Sequence, residues 1–343
     1  MRTPATRILI VLLGAIGDVV RALPLANRLR AGYPDAHIAW AVEPRSAPVL
    51  AAHPALDAVL VFERNGGARA FLAFLRRVHA ERFDLVLDLQ RHLKSGLVSR
   101  ASAAPVRIGF HRRNAKELNW LWNTHTIEPV AGRGWKLEQY LRFADLLELP
   151  PERPRFDLQL TSVEEARVRA VLAPITRPFA ALFLGSTWES RLWFADRYAA
   201  VIDALDARGL DTVLVGGTDV RALAAATLRH ATRPPLDLTA QTTLRESYGV
   251  LARATVAIGP DSGPMHLAAA AGTPVVSLWG ATTPARSAPA GSQDLVLVGR
   301  VACAPCYLRH CPIGRQCMRD ITPDRVMAHV ARVLDGSRVP SLP

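Results

Sequence analysis

Short apolar runs alternate with helical segments along almost the whole chain, and that alternation restricts the possible folds more than any single motif does. "RILIVLL", "HIAWAVEP", "AVLVFE", "FDLVLDLQ" and "VRIGF" read as buried strands, separated by helical stretches such as "VVRALPLANRLRAGYP" and "ARAFLAFLRRVHAERF". Strands that are apolar throughout and divided by helices belong to a parallel sheet covered on both faces. Residues 148–161, "ELPPERPRFDLQLT", are rich in proline and charge and read as a linker. Beyond them the pattern restarts with "FAALFLGS", "DTVLVGG" and "ATVAIG", each leading into a helical segment. The expectation is an α/β protein with two Rossmann-like doubly wound domains facing a central cleft. They fall at residues 1–155 and 156–320, with a C-terminal helix and tail at 321–343. A length of 343 residues suits two domains.

In open parallel sheets, ligands sit beyond the carboxyl ends of the strands. In the second half those ends are "GSTWESRLW" (185–193), "GGTD" (216–219) and "GPDSG" (259–263), all with glycine and small hydroxyl or acidic residues. The last opens "GPDSGPMHLAAAAGTP", which reads as strand, turn and a helix of about nine residues, with Ser262 as N-cap, Pro264 in the first turn, and Gly272 and Pro274 as the stop. Its alanines suit close packing on a sheet. Packing does not account for Asp261, Ser262 and His266 at the amino end, where unpaired N–H groups and the positive end of the dipole attract an anion. A phosphate or diphosphate is the natural guest there, with Asp261 turned toward something else, such as sugar hydroxyls. His266 taken alone reads equally as a packed helix residue. In the first half, "GAIGDVVRALP" has two glycines at GxxG spacing. It lacks the GxGxxG fingerprint with an acidic residue about twenty positions on, which disfavours a nicotinamide oxidoreductase.

The net charge of +12 is unevenly spread: residues 1–150 hold 21 Lys and Arg against 13 Asp and Glu, whereas residues 201–300 hold 8 of each. A basic surface can meet nucleic acid, anionic lipid or a phosphorylated substrate. Aromatic residues are few and no nucleic-acid-binding signature is present, so anionic lipid is the better match and nucleic acid is not expected. The run "ILIVLLGAIG" is too short to span a membrane and lacks a signal-cleavage pattern, so a soluble cytoplasmic protein is expected. All four cysteines, Cys303, Cys306, Cys311 and Cys317, lie in "CAPCYLRHCPIGRQC". Their spacing could clamp a structural zinc or iron, or they are packed thiols; a cytoplasmic setting argues against disulfides.

Taken together, "RILIVLLGAIGDVVRALPLANRLRAGYPDAHIAWAVEP", "GPDSGPMHLAAAAGTPVVSLWG", "FDLVLDLQRHLKSGLVSR", "RIGF" and "ITPDRVMAHVARVL" resemble the ADP-heptose:lipopolysaccharide heptosyltransferases, glycosyltransferase family 9, over nearly the whole chain. The opening segment is more like heptosyltransferase I than II. The resemblance implies a GT-B fold, ADP-heptose on the second domain and a Kdo-bearing lipid A acceptor on the first. It also implies inversion at the anomeric carbon without a required cofactor, and a place at the inner face of the cytoplasmic membrane.

By the same resemblance, Asp18 matches the acidic residue proposed as general base. Read from its neighbours alone, it is equally the N-cap of the helix after the glycine turn. Arg191 stands where the family usually has Lys, a cation that neutralises the departing diphosphate, with the same charge but a different geometry. Without the resemblance it reads as a solvated loop arginine. Ser186 and Thr187 would offer hydroxyls to the phosphates or merely form the turn, Asp261 would face heptose hydroxyls, and Ser262, Gly263 and His266 would line the diphosphate. Arg112 and Arg113, in "RIGFHRRNAKELNW" (107–120), are acceptor contacts or part of an ordinary charged loop. The alternatives are a sugar-nucleotide epimerase of similar architecture, a non-catalytic nucleotide-binding protein, and a family member transferring another sugar to a different glycan.

Overall fold

Ile8, Leu9, Ile10 and Val11 have no exposed surface, so the first strand, β1 (Arg7–Val11), is covered on both faces as its uninterrupted apolar sequence requires. The computed structural model describes residues 1, 3–130 and 134–337. The chain divides into two compact units, Met1–Gln159 and Leu160–Pro343. The division falls in a stretch, 149–160, that has no regular secondary structure.

In the first unit β1 is followed by α1 (Ile16–Gly32), β2 (His37–Val42), the short α2 (Ala47–Leu50), β3 (Ala58–Val61) and α3 (Gly67–Ala80). Then come β4 (Leu85–Asp88), α4 (Leu93–Ala101), β5 (Val106–Gly109), β6 (His125–Thr126) and α5 (Lys136–Leu146). The strands form one sheet in the order β3-β2-β1-β4-β5-β6, every pair parallel. Ile8 is in register with Ile38 on one side and Leu85 on the other. Leu9, Val11, Ala39, Leu60 and Val86 face a core closed by Phe62, Phe74 and Val78. The buried guanidinium of Arg28 on α1 is satisfied by Asp145 Oδ1 of α5 at 2.8 Å and by the carbonyls of Leu149 and Pro150 at 2.6 and 3.1 Å.

The second unit runs α6 (Ser162–Val171), β7 (Phe179–Phe183), α7 (Ala195–Asp206), β8 (Asp211–Val215), α8 (Arg221–His230), β9 (Leu236–Asp237) and α9 (Leu244–Arg253). It continues with β10 (Val256–Pro260), α10 (Gly263–Ala270), β11 (Val275–Trp279), β12 (Val296–Val298), α11 (Gln316–Asp320) and α12 (Pro323–Leu334). Its sheet, β12-β11-β10-β7-β8-β9, is again wholly parallel and repeats the order of the first. The unit starts on a capping box: Thr161 accepts from the Glu164 N–H, and Glu164 accepts from the Thr161 N–H. Glu164 also receives Arg245 Nε at 2.6 Å from α9. The C-terminal helix α12 contributes Val326, Met327 and Val330 to the main core of this unit. Two Rossmann-like α/β sheets, as expected from the alternation, are therefore present.

In each sheet the strand order reverses once, between β1 and β4 and between β7 and β10, and such switch points are where open α/β sheets leave a crevice for ligands. At the second, β10 comes so close to β7 that a Cβ on Gly259 would lie 2.2 Å from the Phe183 carbonyl oxygen and 2.4 Å from its ring. Only glycine fits. Gly259→Ala is expected to lower the free energy of unfolding in urea by about 1–3 kcal/mol, the usual cost of overpacking a core; a variant as stable as wild type would mean that the two strands part freely.

Candidate active site

In the second unit the polar residues converge where β7 and β10 end. α10 is buried over most of its surface, including Met265, His266, Leu267, Ala268 and Ala269, and Gly272 beyond it has φ +81, the left-handed conformation that ends helices. Ser262 occupies the N-cap position in extended backbone as expected, but its side chain makes no capping hydrogen bond. Its Oγ is buried without a partner, and so is Nε of Arg191. Buried polar atoms left unpaired are rare and call for an explanation, and a ligand is one.

Both residues adjoin Asp261, which is buried. Its carbonyl accepts from Ser186 Oγ at 2.9 Å, and its Oδ2 accepts from Thr282 Oγ1 at 2.7 Å and lies 3.2 Å from Arg191 Nη1. The guanidinium of Arg191 lies over Trp188, 4.0 Å from the ring centroid, so it is no solvated loop arginine. Burial lowers its pKa, opposed by Asp261 and then Tyr307. Gly263 begins α10, His266 lies one turn in, and Thr187 is exposed. A cavity lined by Arg177, Asp206, Asp211 and Arg233 lies at the opposite end of the sheet, where β8 begins, and ion pairs tie those four side chains together.

The loop 185–193 is braced by the cysteine-rich segment. Ser190 Oγ donates to the Leu308 carbonyl at 2.6 Å, Glu189 accepts from the Cys311 N–H at 3.2 Å, and Arg315 reaches Glu189 at 3.1 Å and the Leu192 carbonyl at 3.0 Å. Of the two readings of the cysteines, the metal clamp is not assembled: among the described residues no group of three or more His, Cys, Asp or Glu could hold a metal ion. The four free thiols lie at different depths. Cys303 is exposed, Cys306 and Cys311 are half-buried, and Cys317 sits in the core beside Met318 and Ile321, where burial pushes its thiol pKa up.

In the first unit the corresponding place is the end of β1. Asp18 is not a cap: the N-cap of α1 is Ala15, and the Asp18 N–H donates to the Ala15 carbonyl at 2.9 Å, inside the first turn. The glycine turn places the helix start three residues earlier than the cap reading requires. The Asp18 carboxylate, 19% exposed, pairs with Lys136 at the start of α5 and with Arg21 one turn along α1. Burial alone would raise its pKa, but Lys136 and Arg21 together hold the carboxyl well below the usual range. Arg21 could have been found from i,i+3 spacing on a helix. Lys136 could not, being 118 positions away.

Beside β1, at the end of β4, the fully buried Asp88 accepts from Asn119 Nδ2 at 2.7 Å, Ser95 Oγ at 3.1 Å and the Gln90 N–H at 3.1 Å. Gln90 Oε1 in turn accepts from the Leu13 N–H at 2.7 Å, tying the ends of the two strands together. Arg112 and Arg113 are exposed, on the loop between β5 and β6.

Residues 71–316, well over half the chain, match the family model of glycosyltransferase family 9 (heptosyltransferase). The chain belongs to that family. This membership makes it a glycosyltransferase. Among relatives, it is 28% identical to lipopolysaccharide heptosyltransferase 1 of Pseudomonas aeruginosa, over 89% of this chain and 87% of that protein. Among solved structures, the family 9 glycosyltransferase of Veillonella parvula superposes with a TM-score of 0.83 at 19% identity, covering 98% of this chain and 99% of that one. E. coli heptosyltransferase WaaC with ADP-2-deoxy-2-fluoro heptose gives 0.73 at 21% identity, covering 95% and 99%. These likenesses establish the common GT-B-type fold.

In this family 9 member the buried Asp88 carries a pH dependence of its own. Burial pushes its pKa up to about 6, against the donors from Asn119, Gln90 and Ser95. A carboxyl raised in the folded state adds stability below its unfolded pKa, and that stability is lost as pH rises through the folded value. Relative to the non-titrating Asp88→Asn, wild type is therefore expected to gain on the order of 1 kcal/mol between pH 7.5 and pH 5. Urea unfolding of both proteins at the two pH values measures this, and a gap that does not change with pH refutes it.

Proposed function

We propose that this chain transfers heptose from ADP-heptose to the Kdo/inner-core region of lipopolysaccharide, with inversion at the anomeric carbon. The observation that carries the reading is the pair of buried, unpaired polar atoms, Arg191 Nε and Ser262 Oγ, beside Asp261 at the amino end of α10. Such a place suits a diphosphate. ADP-2-deoxy-2-fluoro heptose bound to the WaaC neighbour supports the donor, and the relatives named as lipopolysaccharide heptosyltransferases support the acceptor class.

In this reading Ser262, Gly263 and His266 line the diphosphate, with Ser186 and Thr187 beside them. Asp261, held by Thr282 and Arg191, faces the sugar hydroxyls. The acceptor hydroxyl oxygen attacks the anomeric carbon as the bond from that carbon to the diphosphate oxygen breaks. The electron pair leaves with ADP, and Arg191 and the helix end stabilise the new charge, so no cofactor is required. The proton passes to Asp18. A carboxylate paired with two cations has little proton affinity, so it accepts the proton late, when the hydroxyl has become acidic through bonding to the cation-like carbon.

Arg112 and Arg113 on the basic first unit meet the acidic acceptor. No helix among the described residues is long and apolar enough to cross a membrane. With the positive charge of the first unit, this supports peripheral association with the inner face of the cytoplasmic membrane, in the cytoplasm.

Mass spectrometry of Kdo2-lipid A after incubation with ADP-heptose tests the reaction. A gain of one heptose is expected, with turnover falling about 100- to 10,000-fold in Asp18→Asn while donor binding stays nearly intact. Wild-type-like turnover in that variant would remove Asp18 as base, and donor binding without transfer would move the acceptor to another core position or glycan. Lys136→Met takes a positive charge from Asp18, so the acid limb of kcat/KM should move to higher pH by about one unit; an unshifted limb would mean that this carboxyl does not set it.

A further inference from the structure

The loop between β5 and β6 puts its large apolar side chains outside. Leu118 is 62% exposed, Leu121 53% and Trp120 38%, while Asn119 between them has no exposed surface. The reason lies in the anchoring. Asn119 donates to Asp88 and to the His92 carbonyl, Trp122 lies over Gly96 of α4, and the Lys116 N–H is tied to the Arg91 carbonyl at 2.8 Å. With Asn119 and Trp122 fixed inward and the backbone held at Lys116, the side chains between them have nowhere to go but solvent.

The backbone is also unusual at this point. Glu117 and Leu118 are both left-handed, with φ +50 and +58, where glycine or asparagine would be at ease and a leucine is strained. A strained residue holding a bulky apolar group in water is a poor choice for folding and calls for another use.

What surrounds the apolar tip identifies its partner. Arg112, Arg113 and Lys116 are exposed on the same loop, and Leu93 at the start of α4, also exposed, adjoins it through its N–H to Glu117 Oε2 at 3.1 Å. Glu117 is the acidic residue here, and its carboxylate is engaged by that N–H and by His92 Nδ1. Tryptophan and leucine at the tip of a rigid turn, flanked by cations, have the composition that lies in the interfacial layer of an anionic bilayer.

We propose that residues 111–121 form a membrane anchor: Leu118, Trp120 and Leu121 enter the interface of an anionic phospholipid bilayer while Lys116 meets its headgroup phosphates, beside the acceptor contacts Arg112 and Arg113. This anchor deepens the peripheral-membrane reading above and rests on it.

Co-sedimentation of the full chain with vesicles of phosphatidylglycerol and phosphatidylethanolamine, free of lipopolysaccharide, tests the anchor. Wild type is expected to bind, less so in high salt or with neutral phosphatidylcholine, and the double variant Leu118→Ser, Leu121→Ser to bind about tenfold more weakly or worse. Leu118→Gly relieves the left-handed strain, so it keeps the fold, and it should weaken binding as well. Absence of wild-type binding, or equal binding by all three proteins, overturns the anchor. Heptose transfer to a soluble, delipidated acceptor separates this from the reaction. Transfer unchanged in the variants supports the anchor, and transfer lost only in the variants overturns it as a purely membrane-facing device. Absence of transfer in wild type counts against the proposed reaction, while the vesicle measurement still decides the anchor.

Discussion

A parallel strand covered on both faces has only apolar work for its side chains, and that constraint decides where chemistry can occur in this protein. Through β1, β7 and β10 nearly every residue is fully buried, and polar groups accumulate only where these strands end. Asp18 follows β1, Asp88 ends β4, Ser186 and Arg191 follow β7, Asp261 and Ser262 follow β10, and Thr282 follows β11. The repeated strand order makes the two units equivalent in this respect: each has one reversal, and each reversal has an aspartate beside it.

Those aspartates show how far surroundings decide what a carboxyl can do. Asp18 is held by two cations and stays ionised far into acid. Asp88, one strand away, has three neutral donors and the nearby His92 rather than two ion-paired cations, so burial prevails and its pKa rises to about 6. Asp261 is fastened by a hydroxyl and a guanidinium, which fix its direction. One residue type thus serves as an ion-paired carboxylate, a buried structural acid and an oriented acceptor.

The elements were legible because their signals are local. Apolar runs of strand length, the stop at Gly272 and the N-cap position of Ser262 all appear where the periodicity and capping rules put them. Local rules also misled. Asp18 has a favoured capping residue type, yet Ala15 takes the N-cap position because the turn closes earlier. The cysteine spacing suits a metal clamp, yet among the described residues no group of three or more ligating side chains is arranged to hold a metal, although Cys303, Cys306 and Cys311 all lie near enough to Cys317 to add to burial in raising its pKa. Lys136 and Thr282 carried no signal at all near the residues they hold.

By itself, the sequence determined the two parallel α/β sheets, the places where their strands end and the family to which the chain belongs, because apolar periodicity and turn residues act over a few positions. Only the tertiary structure decided the electrostatics: that Lys136 reaches Asp18, that Thr282 and Arg191 fasten Asp261, and that Leu118 and Leu121 are left facing water. Ion pairing and burial depend on distances between segments far apart in the chain, and those distances exist only once the sheets have formed.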